Sequence, residues 1–319
     1  MRSKSLDLAK YVYMIIICFW HTGWIDSLYK GYSPVEFFFI SAGFFLYRSA
    51  IRGTSLIDYV KSRLQRLYPA FVISLLIYAI LLKAPYNIMD FLYDATLIRD
   101  VIHIEGMNSL NRVIWFVPVL FWGGLLVMSA LKATKKIVLF LLGAVFIYVN
   151  ILMSCGNFND TFRCVGIFYV PFWRGVAGLL LGVVIGSIAT KVDKENISDC
   201  CIKWIGSVGI LSFCLSIVLL FLPYDTEILS LCCYCAVMLS SIISDKIVRG
   251  WCPQLPDITY EMFLLHIIVI MFTVKFLDLL GWVQYSWLKY VTYVAILLFA
   301  SYVLNRLVKY LRSLILKII

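Results

Sequence analysis

Charge is what this sequence has least of: Asp, Glu, Lys and Arg make up 14% of its 319 residues, against about a quarter in soluble domains. Apolar residues account for 62%, and the mean hydropathy is +0.92. This balance excludes a water-soluble enzyme. Long polar stretches are equally scarce. The widest interval between apolar runs, near 85–112, is about 28 residues, well short of a ~50-residue domain, so the chain reads as one unit over 1–319. Also missing are low-complexity tracts, a solenoid period and the ~10-residue alternation of a membrane β-barrel. No small-x-small cleavage site follows the first apolar run, Asp7 and Lys10 precede it and His21 interrupts it; these features predict a retained helix and not a signal peptide.

What fills the chain is a series of apolar runs of about 18–22 residues, each long enough to cross a ~30 Å hydrocarbon core as a helix. The runs lie near 11–28, 33–50, 69–84, 113–130, 136–154, 168–189, 204–222, 227–243, 257–277 and 286–307. They predict an all-α, polytopic integral membrane bundle of about ten transmembrane helices. The net charge of +10 raises the question of a nucleic-acid partner, and its distribution answers it. With the N-terminus cytoplasmic, twenty of the 28 basic residues fall on the cytoplasmic side, as the positive-inside rule requires. The basic excess therefore reports topology, with both termini cytoplasmic and the lipid bilayer as the partner, and no nucleic acid is expected. Five of the ten cysteines, Cys18, Cys214, Cys232, Cys233 and Cys235, lie inside apolar runs, where Cys acts as a small hydrophobe, and the Cys-Cys-Tyr-Cys run at 232–235 lacks the further ligands of a zinc site. No metal is expected. Cys155 and Cys164 share an outer loop, which leaves their pairing open.

An ionisable side chain inside a span costs roughly 2.5–3.5 kcal/mol, so each one is a functional candidate. The set is small: His21 in the first run, Glu36 opening the second, Arg174 opening the sixth, and Glu261 and His266 in the ninth. Lys10 and His21 are eleven residues apart, which puts them within about 20° of one helix face and ~16 Å apart along its axis. Arg63 and Arg66, at i and i+3 in a short cytoplasmic helix, project from one face. Two guanidiniums held together suit a multiply charged phosphate, since each fork donates bidentately. Pro69 is expected to start the third helix. Anchoring at the membrane surface accounts for Lys10 alone, and snorkelling accounts for Glu36 and Arg174 as well as function does. His266 reads either as a second polar site residue or as a satisfied core histidine, and His103, between Asp100 and Glu105, as a solvated loop histidine.

Several segments match a known pattern in order. Ser5-Leu6-Asp7-Leu8-Ala9-Lys10 with His21 eleven residues after the lysine is similar to the opening helix of the acyltransferase-3 superfamily of integral membrane O-acyltransferases, in which Arg stands at the basic position. Glu36-Phe37-Phe38 followed by Ser41-Ala42-Gly43-Phe44 resembles its second helix, with Ala42 inserted. Arg63-Leu64-Gln65-Arg66 with Tyr68-Pro69, Trp115-Phe116, and Thr259-Tyr260 running to His266 resemble three further elements. The resemblance implies an O-acetylase of surface polysaccharides in a bacterial inner membrane. It implies an acyl-CoA co-substrate, acetyl-CoA first among them, and a surface or lipid-linked carbohydrate acceptor. His21 is then the base or the covalent acyl carrier. Glu36 would orient its ring, and Lys10, Arg63 and Arg66 would hold the donor's phosphates. Trp115, Arg174 and Tyr260 are candidates for the substrate. A transporter or flippase of lipid-linked sugars is the competing class, and the paired broken helices it predicts are not evident. A sensor or scaffold would leave His21 and the arginine pair unexplained.

Overall fold

The computed structural model describes residues 3–82, 88–98, 101–102, 112–159, 163–165, 168–192, 198–245, 252–282 and 286–318. Each of the ten predicted runs holds a helix. In chain order these are α1 (Lys4–Thr22), α2 (Val35–Ile51), α3 (Leu56–Leu82), a short α4 (Ile88–Ala95), α5 (Phe116–Ala133) entered through a 3-10 turn (Arg112–Trp115), and α6 (Ile137–Cys155). A two-residue ladder of β1 (Cys164–Val165) and β2 (Phe168–Tyr169) follows, then α7 (Val170–Val192), α8 (Asp199–Leu220), α9 (Glu227–Ile243), α10 (Thr259–Leu279) and α11 (Ser286–Ile318).

Among the described residues, seven helices are long and apolar enough to cross a membrane: α3, α5, α6, α7, α8, α10 and α11. That is fewer than the ten expected. The helices α2 and α9 have only 17 residues, and Asp7, Lys10 and His21 lower the hydropathy of α1. The chain is a multi-pass membrane protein. Its most apolar outer helices are the least covered: α6 and α8 are 22% and 17% buried over their spanning windows, whereas α5 and α7 are 61% buried. The interior helices therefore carry the polar groups and the outer ones meet lipid.

Two boundaries correct the sequence reading. Helix α1 starts at Lys4, because the Ser3 hydroxyl accepts from the Leu6 amide at 3.2 Å and Asp7 sits in the first turn, where the helix dipole favours an acid. It stops at Thr22, since Gly23 takes φ +65°. Pro69 does not open a helix; it lies inside α3, which runs unbroken from Leu56. A proline has no N–H for the carbonyl four residues earlier. That carbonyl, on Gln65, instead accepts from Arg312 Nη2 of α11 at 2.6 Å, so the long α11 repairs the gap in α3.

The N-terminal face of the bundle is closed by Ser3 Oγ donating to the Ser241 carbonyl at 2.8 Å and the Lys4 amide donating to Asp245 at 3.0 Å. At the centre, α2 lies against α7 with backbone close to backbone. A Cβ on Gly43 would stand 2.1 Å from the Leu179 carbonyl oxygen, and one on Gly182 would stand 2.1 Å from that of Ile40. Glycine at both positions lets the two backbones touch. This seam sets the far ends of α2 and α7 side by side, and with them Glu36 and Arg174.

Candidate active site

Near the N-terminal face, the side chains of α1, α3 and α10 converge on a cavity of about 140 Å³ lined by Lys10, Arg63, Arg66 and Tyr260, together with Ser41 and Asp257. All three cations expected to hold phosphates are thus in one place. Lys10 Nζ stands 5.0 Å from the Phe45 ring centroid and the Arg63 guanidinium 5.2 Å from that of Tyr59. Aromatic faces pack against both cations. Tyr260 donates its hydroxyl to the Leu67 carbonyl at 3.0 Å, tying α10 to α3 beside Arg66.

Three phenylalanines of the cavity wall, Phe38, Phe116 and Phe263, pack one against the next, the first pair edge to face and the second tilted. The Phe38 and Phe116 centroids are 6.4 Å apart and those of Phe116 and Phe263 are 5.2 Å apart. Phe263 leads to the His266 ring at 5.8 Å, and His266 to His21 at 4.9 Å. The two histidines therefore form a pair joined to the cavity by the aromatic wall. His21 lies ~16 Å along α1 from Lys10. His266 is fully buried. Its Nδ1 contacts the Phe263 carbonyl at 2.6 Å; a carbonyl only accepts, so Nδ1 carries the hydrogen and Nε2 presents a lone pair. That Nε2 has no partner among the described residues, so of the two readings of His266, a satisfied core residue does not fit.

A second polar cluster lies at the far ends of α2, α6, α7 and α9. Arg174, 1% exposed, donates from Nε to Glu36 Oε1 and from Nη1 to the Phe158 carbonyl at 2.9 Å. Tyr148 donates to the other oxygen of Glu36. The guanidinium stacks 5.7 Å from the centroids of both Tyr32 and Trp115, and its Nη2 is buried with no partner among the described residues. Tyr32 donates to Glu227, whose other oxygen accepts from the Phe158 amide at 2.8 Å. Burial first, then the Glu227 carboxylate, push the Tyr32 hydroxyl well above its ordinary range, so it stays a donor.

The expected site residues thus separate. Lys10, Arg63, Arg66 and Tyr260 share the cavity and His21 stands beyond its phenylalanine wall, while Glu36, Arg174 and Trp115 belong to the far cluster. Three expectations change. Glu36 does not orient His21, because Arg174 and Tyr148 take its two oxygens. The charge of Arg174 is met by Glu36 and faces Glu227, which leaves little pull for an acidic sugar. Trp115 packs on Arg174 and, at 5.9 Å, on Phe39, so it is no freestanding platform for a sugar ring. Trp20 bridges the two regions, 4.8 Å from His21 and 5.4 Å from Tyr32 between centroids. The contact of His266 with His21, and the places of Tyr32, Tyr148 and Glu227, escaped the sequence reading: a tyrosine in an apolar run carries no polar signal, and an acid at a helix start reads as a dipole partner. His103, Asp100 and Glu105 lie outside the described residues.

Compared with known proteins, the chain matches the family model Acyl_transf_3, described as an acyltransferase domain, over residues 3–306. No curated protein and no solved structure matches it.

Proposed function

The chain belongs to the acyltransferase family that this model describes, and from that premise we propose that it moves an acyl group, acetyl first, from cytoplasmic acyl-CoA to a hydroxyl of a surface or lipid-linked carbohydrate. The setting is an inner membrane with both termini cytoplasmic. The observation that carries the reading is the single cavity gathering Lys10, Arg63 and Arg66 at the basic face, with a histidine pair directly beyond its aromatic wall.

In this reading Arg63 and Arg66 grip the donor's diphosphate bidentately and Lys10 adds a point charge. The pantetheine arm runs along α1 towards His21 and brings the thioester carbonyl to the imidazole. His21 takes the proton of the acceptor hydroxyl as its oxygen attacks that carbonyl. The carbon–sulfur bond then breaks, the acyl group stays on the acceptor oxygen, and the departing thiolate recovers the proton from the imidazolium. The Nε2 lone pair of His266 supports the positive charge that His21 carries in between. The far cluster holds the outer end of the site in shape, and an uncharged sugar suits its existing balance of Arg174 against Glu36 and Glu227.

The test is reconstitution of the purified protein with acetyl-labelled acetyl-CoA and a panel of surface glycans. The wild type should label an acceptor, and His21→Ala should abolish labelling. Arg63→Ala with Arg66→Ala should raise the KM for the donor by an order of magnitude or more, given the ~1.5–3 kcal/mol of a charged hydrogen bond. Wild-type transfer by His21→Ala would sink the mechanism. Neither donor binding nor transfer by the wild type would sink the acyl-CoA reading and favour a transporter.

A further inference from the structure

A second cavity, about 470 Å³, opens beside the first on the same face, between residues 254–257 and Tyr302, Asn305, Arg306 and Lys309 of α11. Asp257 lines both cavities, so the two adjoin at that residue. We propose that this second cavity binds the 3′-phosphoadenosine end of the acyl donor. The proposal rests on the acyl-CoA reading above and assigns residues outside the motifs that led to it. The family match ends at Arg306, and Lys309 lies beyond it.

Charge and size both point there. An acyl-CoA carries a diphosphate and, separately, a phosphate monoester whose charge near neutral pH is about −1.5 to −2. Lys10, Arg63 and Arg66, opposed by Asp257, match the diphosphate and leave the monoester uncompensated. The first cavity, at about 140 Å³, is too small for a nucleotide, while the second falls in the ~300–1,000 Å³ range of ligand pockets. Its basic groups are prepared for a phosphate. Arg306 and Lys309, at i and i+3, share one face of α11. Arg306 donates from Nε to the Tyr302 hydroxyl at 2.9 Å and lies 5.0 Å from that ring's centroid. This fixes the guanidinium and leaves both Nη groups without a partner among the described residues. Asn305 Nδ2 donates to the Asp257 carbonyl at 2.9 Å and to Glu261 at 2.8 Å, pinning the 254–257 segment to α11 and holding the cavity's shape. The carboxylate of Asp257, between the two phosphate positions, is placed to accept from the ribose 2′-hydroxyl, the contact acids make in other nucleotide sites.

The experiment compares acetyl-CoA with acetyl-dephospho-CoA, which lacks only the 3′-phosphate, in phosphatidylcholine nanodiscs. The wild type should use acetyl-CoA at least about tenfold more efficiently, the size of one charged hydrogen bond. Arg306→Ala with Lys309→Ala should bring that ratio towards one by raising the KM for acetyl-CoA, and Arg306→Lys with Lys309→Arg, which keeps both charges, should keep most of it. Adenosine 3′,5′-bisphosphate should inhibit the wild type competitively and the double-alanine variant at least ten times more weakly. A wild-type ratio near one, or equal losses on both donors in the double-alanine variant, overturns the proposal while leaving the acyl-CoA reading intact. Loss of bisphosphate inhibition when phosphatidylglycerol is added to the discs overturns it too, assigning the site to a lipid headgroup. A wild type that neither binds nor consumes either donor defeats both readings.

Discussion

Replacing Gly182 by alanine tests the α2–α7 seam on which the far cluster depends. The added Cβ would stand 2.1 Å from the Ile40 carbonyl oxygen, 2.7 Å from the Phe44 nitrogen and 2.8 Å from the Gly43 Cα. All three are backbone atoms, and ordinary contact begins near 3.4 Å, so no rotamer relieves the clash and the helices have to part. Overpacking of this kind costs about 1–3 kcal/mol, and separation also strains the dry Glu36–Arg174 pair, whose rupture is worth about 3–5 kcal/mol. A loss of about 2–4 kcal/mol corresponds to a fall in Tm of roughly 4–16 °C at the ~2–4 °C per kcal/mol of larger domains. The measurement is a thermal scan in detergent at one fixed rate, since unfolding of such a protein is read as a rate as much as an equilibrium. Gly143→Ala is the reference: its Cβ would meet only the flexible Leu180 Cδ1, at 3.4 Å. Both variants make the same change in a helix interior, so the difference between them isolates the seam. Tm values within about 2 °C of each other, less than one kcal/mol on that scale, would refute the close α2–α7 contact.

Two further outcomes follow from the two polar regions. Glu36→Ala strands the Arg174 guanidinium and should cost about 3–5 kcal/mol, whereas Tyr148→Phe removes one hydrogen bond on the same carboxylate and should cost about 1 kcal/mol; equal Tm losses would show that Glu36 is not the guanidinium's main partner. His266→Asn should lower kcat by about 10² or more, the scale of general acid–base assistance, with the KM for acetyl-CoA held within twofold, because His266 does not line the donor cavity. A raised KM with unchanged kcat would remove it from the chemistry.

The helices were legible because lipid-length apolar runs leave little choice. The places of disagreement are where a distant residue decides. Pro69 reads as a helix start from its neighbours, and only Arg312, 243 positions later in the chain, makes an internal proline tolerable by serving the Gln65 carbonyl. Asp7 and Lys10 look like a polar flank, yet the Ser3 cap and the first-turn acid carry the helix through them. At the site, Arg63, Arg66 and the Lys10–His21 stripe were readable, since helical spacing is local information. The partners of Glu36 were not, because Arg174 and Tyr148 come from α7 and α6 and meet it only through the glycine seam. His266 was visible as an intramembrane histidine, but its pairing with His21 depends on α1 lying against α10.

The run of Phe38, Phe116 and Phe263 has a consequence for the cell as well as for catalysis. A protein with a charged cavity open on one face and a polar cluster near the other is most of the way to being a pore, and a continuous water file between them would let protons cross. Three closely packed rings, with no polar side-chain atom among them, are the kind of apolar constriction that interrupts such a file by dewetting in closed channels. Shortening one of these rings should therefore reveal itself first as a leak, measurable as collapse of a pH gradient in proteoliposomes before any change in substrate is added.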